Sequence, residues 1–351
     1  MPHDGQSSFG HPLTGIRVID LGWITAGAGT STLLRDLGAD VIKIEGPGAP
    51  DPFRRWEGAE PGTDWWNRSP FYNATNRGKR SLCLDLKHPR GRAALEALLE
   101  CADVLVENYR RGVLASLGLE PAVLLRRFPR LVIASISSQG EDGPDRDMVS
   151  YGSTLEATGG LAALTGVGDQ PVITGRDINY PDQVVCLFAS GAIIAALLER
   201  RCTGRGAHLD LSQRELTTFL LGEEMIAAAE GVPSRRRGNI DPVEPDEQLL
   251  REGNEWRVAW PGGTAPVRDP ASLVSAPEFA RSGAIQQSPD GIPVKGFPFR
   301  LTRHPISAAE VCHPLGADNR AVLREAGFDD GQIESLEEAG VIASTPGSNR
   351  P

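Results

Sequence analysis

Asp182 stands where a carboxylate could do covalent chemistry. It follows the turn-like run Thr174-Gly175-Arg176-Asp177 and opens a strongly apolar stretch, 181–198, that reads as a helix. A carboxylate near the positive end of a helix dipole is favoured in its anionic form. Such a carboxylate can attack an activated carbonyl and form a covalent acyl intermediate. Asp is also a preferred helix cap, and Pro181 beside it fits a helix start. Residue type and placement leave both roles open.

A second cluster, Asn76-Arg77-Gly78-Lys79-Arg80, carries three cations around a glycine just before a strand. Charge and backbone N–H groups in such a turn can hold phosphates, although a solvated basic turn has the same composition. Other signatures are missing. Ala26-Gly27-Ala28-Gly29 lacks the spacing of a dinucleotide-binding turn, and no GxxxxGK[ST], HExxH or Gly-x-Ser-x-Gly run occurs. His88, His208, His304 and His313 are scattered and read as structural or exposed.

The elements that must position these residues alternate. Strands are predicted at 15–21, 39–45, 81–86, 103–108, 131–136 and 207–211. Helices are predicted at 28–37, 89–101, 113–117, 121–128, 153–164, 181–198 and 213–230. This alternation is the pattern of a parallel sheet covered on both faces, which binds ligands at the carboxyl ends of its strands. Residues 47–76 read as a long irregular loop with Trp56, Trp65 and Trp66, either a lid or a flap against a partner subunit. The texture changes at residue 233, where charge, Pro and Gly accumulate. A strand-like piece at 297–301 and helices at 318–326 and 331–339 follow. The expected organisation is a large unit of residues 1–232 plus 296–351, with a small domain and crossover at 233–295.

Composition narrows the function. The 351 residues are 40% hydrophobic, enough for a large core, and carry a formal net charge of -10. That balance argues against nucleic acid or an anionic membrane as the main partner. Residues 1–13 are polar and expected to be mobile. No charged-then-apolar leader is seen, and no apolar run is judged long enough to span a bilayer, the 182–198 stretch coming closest. A cytoplasmic location is the expectation. The five cysteines are scattered without CxxC spacing, so neither a metal site nor a disulfide framework is expected.

In order along the chain, the runs Leu13–Leu21, Leu37–Glu45, Asn76–Ser81 with Leu84–Lys87, Ala102–Tyr109, Ala195–Leu198 with Thr203-Gly204-Arg205-Gly206, Ala265–Asp269 and Pro298–Leu301 resemble the class III CoA-transferase family, which includes formyl-CoA:oxalate and carnitine-type CoA-transferases. The resemblance implies an α/β fold: a Rossmann-like parallel-sheet large domain, a small domain, and an interlocked homodimer. It implies coenzyme A as substrate thioester, a carboxylic acid acceptor and no metal. Counting back from the Thr-Gly-Arg-Gly turn, it places the family's aspartyl nucleophile on Asp182. Asn108 and Tyr109 match the pair that lies along CoA. Arg77, Lys79 and Arg80 match the basic segment near the nucleotide. Thr25 and Ala26 fall in a loop that contacts CoA and the acyl group.

The chain also departs from the family. Thr25 replaces a Gln of the formyl-CoA enzymes, Gly46 and Ser116 stand in place of CoA-contacting arginines, and Ser137 in place of a lysine. The stretch between Asn239 and Ala265 is short, with Gly262-Gly263 as the remnant of a glycine-rich loop. The implied activity is CoA transfer between an acyl-CoA and a carboxylic acid through a covalent aspartyl intermediate. The alternatives are a catalytically altered or non-catalytic acyl-CoA-binding member and, less favoured for want of a His between His88 and His208, an acyl-CoA racemase.

Overall fold

The computed structural model describes residues 11–56, 64–168, 170–175, 178–238, 248–289, 291–297, 299–308 and 310–347. Six parallel strands, β1 (Arg17–Asp20), β2 (Asp40–Glu45), β3 (Arg80–Cys83), β4 (Val104–Glu107), β5 (Val132–Ser137) and β6 (His208–Ser212), form one sheet in the order β3-β2-β1-β4-β5-β6. The chain leaves β1 on one side and returns through β4 on the other, which opens a crevice between those two strands. The expected α/β class with a parallel sheet is what the molecule has.

Alternation along each strand builds two cores. Val18, Val41, Val104 and Val132 face α1 (Ala26–Asp36) and α8 (Tyr180–Thr203). Ile19, Ile42, Leu105 and Ile133 face α3 (Pro89–Glu100), α5 (Pro121–Arg127), α13 (Asn319–Glu325) and α14 (Asp330–Glu338). The last two helices belong to the far end of the chain. Asp318 Oδ2 and Asn319 Oδ1 accept the Ser81 and Cys83 N–H groups, at 2.7 and 2.8 Å. They thereby cover the free edge of β3.

Several elements differ from expectation. Within 47–76, Ser69 and Pro70 start α2 (Pro70–Asn76), a cap-plus-proline signal in a stretch read as irregular. The helix expected at 153–164 is broken into α6 (Gly152–Thr158) and α7 (Leu161–Leu164) because Gly160 turns left-handed, φ +92°. The helix at 213–230 divides into α9 (Gln213–Phe219) and α10 (Gly222–Ala229). Leu13 is buried and bonded to Leu37, against the mobility expected of 1–13; residues 1–10 lie outside the described residues.

Residues 233–295 hold a three-stranded antiparallel sheet, β7 (Gln248–Glu252), β8 (Glu255–Trp260) and β9 (Gly263–Pro266), and a hairpin of β10 (Ile285–Gln287) and β11 (Pro293–Lys295). The strand anticipated at 297–301 is displaced to β11, and the Phe297 and Phe299 rings meet edge to face at 4.5 Å instead.

Helix α8, at 24 residues, is long and apolar enough by length and composition to cross a bilayer, which corrects the shorter apolar run read from sequence. Here one face packs Val185, Ala189, Ile193 and Leu197 into the core against α1. The two helices approach closely at Gly29, where an added Cβ would lie 2.6 Å from Cys186 Sγ. The Cys186 thiol donates to Asp182 O at 3.0 Å and to Thr25 O at 3.4 Å, joining the first turns of both helices.

Gly29→Ala is expected to destabilise the fold by about 1–3 kcal/mol through overpacking, despite the better helix propensity of Ala. Adding Cys186→Ala should recover most of that loss. Urea unfolding of the four-member cycle measures the coupling, and strict additivity would refute the contact. A second expectation concerns Glu107, buried at the end of β4. Burial pushes its pKa from 4.5 up to about 7, although Ser135 and the Tyr109 N–H pull the other way. Protonation therefore favours the fold: the contribution is complete below pH 4.5 and is lost as pH rises through 7. Glu107→Gln should match wild type at acid pH and exceed it by up to about 3 kcal/mol above neutrality. An equal difference at pH 4 and pH 9 would exclude this.

Candidate active site

A cavity of about 790 Å³ lies at the carboxyl ends of the strands of the parallel sheet. The segment after every strand contributes to its wall: Trp23–Ala26 after β1, Gly46 after β2, Leu84–Lys87 after β3, Asn108–Arg111 after β4, Ser137–Gln139 after β5 and Gln213 after β6. Asp182 enters from the start of α8, and Arg146–Tyr151 close another side.

Asp182 is not a helix cap. Asn179, left-handed at φ +47°, is the N-cap residue, and Pro181 and Asp182 follow inside the first turn. The carboxylate instead accepts a hydrogen bond from Gln213 Nε2 through Oδ1, while Oδ2 has no hydrogen bond among the described residues. Burial raises its pKa, and the Gln213 hydrogen bond lowers it in part. The net direction is upward from the usual carboxylate value. The turn before α8 is held by Glu156, which accepts the Gly175 N–H at 2.6 Å; Arg176 and Asp177 lie outside the described residues.

The loop between β1 and α1 is fixed from all sides. Asp20 Oδ1 accepts the Gly22 N–H at 2.8 Å. Asn108 brackets Trp23, accepting its N–H at 2.6 Å and donating to its carbonyl at 3.0 Å. Asp51 Oδ2 accepts the Ile24 N–H at 3.1 Å, and Lys43 donates to Gly22 O. Ile24 sits at φ +58°, an unfavourable backbone for a β-branched residue. Side chains are excluded at Gly27, where a Cβ would fall 2.7 Å from Asn108 Oδ1. The Trp23 and Tyr109 rings meet edge to face at 5.8 Å.

Thr25, Ala26, Asn108, Tyr109 and Asp182 are thus brought together around one cavity. Arg77, Lys79 and Arg80 are not. Arg77 pairs with buried Asp36, and Lys79 donates to Asp20 at 2.9 Å, Ala28 O at 2.7 Å and Asn76 Oδ1 at 2.9 Å. Arg80 pairs with Asp40 and Glu325. Arg77 and Lys79 turn inward onto buried carboxylates and Arg80 lies in a surface ion-pair cluster away from the cavity, so phosphate binding by these three cations is not supported by their placement. Gly262 and Gly263 make the β8–β9 hairpin turn and lie outside the cavity wall.

Sequence reasoning missed Gln213, Lys87 and Arg110. Lys87 and Arg110 line the cavity without an ion pair among the described residues, whereas Arg111 is paired with Asp147 at 3.1 Å and with Glu141 at 3.7 Å. The signal for Gln213 was its place directly after a strand of a parallel sheet. No histidine lines this cavity among the described residues.

The family model for CoA-transferase family III matches residues 13–259. The chain is 37% identical to a succinate–glutarate CoA-transferase of Agrobacterium fabrum, across 67% of this chain and 60% of that protein. It is 30% identical to an acetyl-CoA:oxalate CoA-transferase of Acetobacter aceti, across 96% and 85%. The chain therefore spans less than two thirds of the first of these relatives. A crystal structure of a CAIB/BAIF family protein from Brucella suis superposes with a TM-score of 0.84 at 24% identity, covering 91% of this chain and all of that one, and shares the fold. With the family model matching well over half of its length, the chain belongs to CoA-transferase family III.

Proposed function

We propose that this protein transfers CoA between an acyl-CoA thioester and a carboxylic acid, with Asp182 as covalent nucleophile. One observation carries the reading: a carboxylate in the first turn of an apolar helix that caps nothing, lines the cavity and keeps one oxygen without a hydrogen bond among the described residues. Asp182 attacks the thioester carbonyl and expels the CoA thiolate, leaving a mixed anhydride. The thiolate attacks the aspartyl carbonyl and releases the first acid, leaving an aspartyl-CoA thioester. The acceptor carboxylate then displaces the thiolate, which takes the acceptor's acyl carbon and frees Asp182. The Ala26 N–H, in the first turn of α1, has no partner among the described residues and is an available oxyanion donor. Lys87 and Arg110 take the part of the arginines that Gly46 and Ser116 replace, as charge for the CoA phosphates. Relatives named for succinate, glutarate and oxalate make short dicarboxylic acids the first acids to try.

We also propose a homodimer. Leu187, Phe188 and Leu198 on α8, with Phe219 on α9 and Ile226 on α10, lie exposed. A second copy is the occupant that fits an apolar face of this extent.

Intact-protein mass spectrometry after incubation with acyl-CoAs tests the chemistry. A hydroxylamine-labile acyl or CoA adduct is expected on wild type and none on Asp182→Ala. Lys87→Ala and Arg110→Ala should need roughly tenfold more acyl-CoA for the same adduct. Binding of acyl-CoA without any adduct would instead favour a non-catalytic member. Sedimentation equilibrium should return twice the 37.6 kDa chain mass, and a monomer at micromolar concentration would overturn the dimer.

A further inference from the structure

The two oxygens of Asp182 are held unequally, and on the covalent reading above that asymmetry has a chemical consequence. Gln213 is buried at the start of α9, immediately after β6. Its backbone position is fixed on both sides: the neighbouring Ser212 caps α9 by accepting the Glu215 N–H at 3.2 Å, and the Arg214 N–H donates to Ser138 O at 3.1 Å. From there Nε2 donates to Asp182 Oδ1 only, and Oδ2 is left without a hydrogen bond among the described residues.

We propose that Gln213 is a catalytic residue with two linked tasks: it selects Oδ2 as the attacking oxygen, and it is the oxyanion donor for every attack on Asp182 Cγ. In the first step Oδ2 bonds to the thioester carbon and the carbon–sulfur bond breaks. When the thiolate then attacks Cγ, the Cγ–Oδ2 bond breaks and Oδ2 departs with the first acid. The electron pair displaced in that attack collects on Oδ1, which already faces the Gln213 N–H. The acceptor carboxylate attacks the same Cγ, again charging Oδ1, and one of its oxygens becomes the new Oδ2. Across a full cycle Oδ1 stays and Oδ2 is exchanged. A donor aimed at the site of developing charge before the reaction starts costs no reorganisation.

Oxygen-18 reads this directly. The enzyme is turned over many times with an acyl-CoA and its own acid, both fully labelled in the carboxyl oxygens, then quenched and digested. The peptide carrying Asp182 is weighed. Wild type should gain one heavy oxygen and no more, however long the reaction runs. Gln213→Leu, and Gln213→Met as a variant of similar length, should gain two, because an unheld carboxylate rotates between turnovers. Their kcat should fall by about a hundredfold or more with KM for acyl-CoA within about threefold. Two heavy oxygens in wild type would overturn the proposal, as would variants that keep single labelling and full kcat. If the variants do not fold, the wild-type count decides alone. No label in wild type would sink the covalent reading itself, an outcome distinct from double labelling.

Discussion

A lattice of buried charge beneath the crevice holds the rest of the site in place. Asp20, Lys79, Lys43, Asp51, Glu45 and Arg54 are all almost wholly buried; Asp20 pairs with Lys79, Lys43 with Asp51 and Arg54 with Glu45, which also accepts the Asp51 N–H. Burial alone would raise the carboxylates, yet Arg54 holds Glu45 at about 2, and Lys79 with Lys43 holds Asp20 low. Such pairs contribute little net stability against their desolvation, and what they supply is geometry. The members nearest the cavity spend their remaining hydrogen bonds on the backbone of Gly22 and Ile24. A left-handed isoleucine persists only where its surroundings over-determine it.

The site combines this rigid floor with a mobile chemical demand. Six segments of its wall lie at the ends of strands of the parallel sheet, so their loops start from fixed points. Asp182 comes from the opposite quarter, on a helix whose first turn is tied to the first turn of α1 by the Cys186 thiol. The contact at Gly29 sets how near the two helix starts can lie. The distance between the Asp182 carboxylate and the Ala26 N–H is therefore a property of helix packing and not of loop conformation.

Much of this was legible beforehand, and the failures have physical causes. Short apolar runs rich in Val, Ile and Leu marked the strands of the sheet, because a strand buried on both faces leaves few alternatives. The family resemblance then singled out Thr25, Ala26, Asn108 and Tyr109, which the strand ends bring to one cavity. The cations of 77–80 misled because composition does not say which way a side chain turns, and Asp20, Asp36 and Asp40 lie far away in sequence. The upward pKa shift of Asp182 was not legible, because a dipole is visible in a helix sequence whereas desolvation depends on the tertiary wall. Gln213 carried no motif beyond its place after a strand, and its contact with Asp182 singles it out.

The clamp on β3 has a temporal side. Ser81 precedes Asp318 by 237 positions, so at bacterial or eukaryotic elongation rates of about 5–20 residues per second the strand waits roughly 12–47 s for the segment that covers its edge. Until then the N–H groups of Ser81 and Cys83 are open to another chain. The loop that follows that strand, Leu84–Lys87, is a wall of the cavity. A nascent chain therefore carries both an unfinished pocket and a sticky strand for the same interval, and a chaperone that shields this edge during synthesis would protect the site as well as the fold.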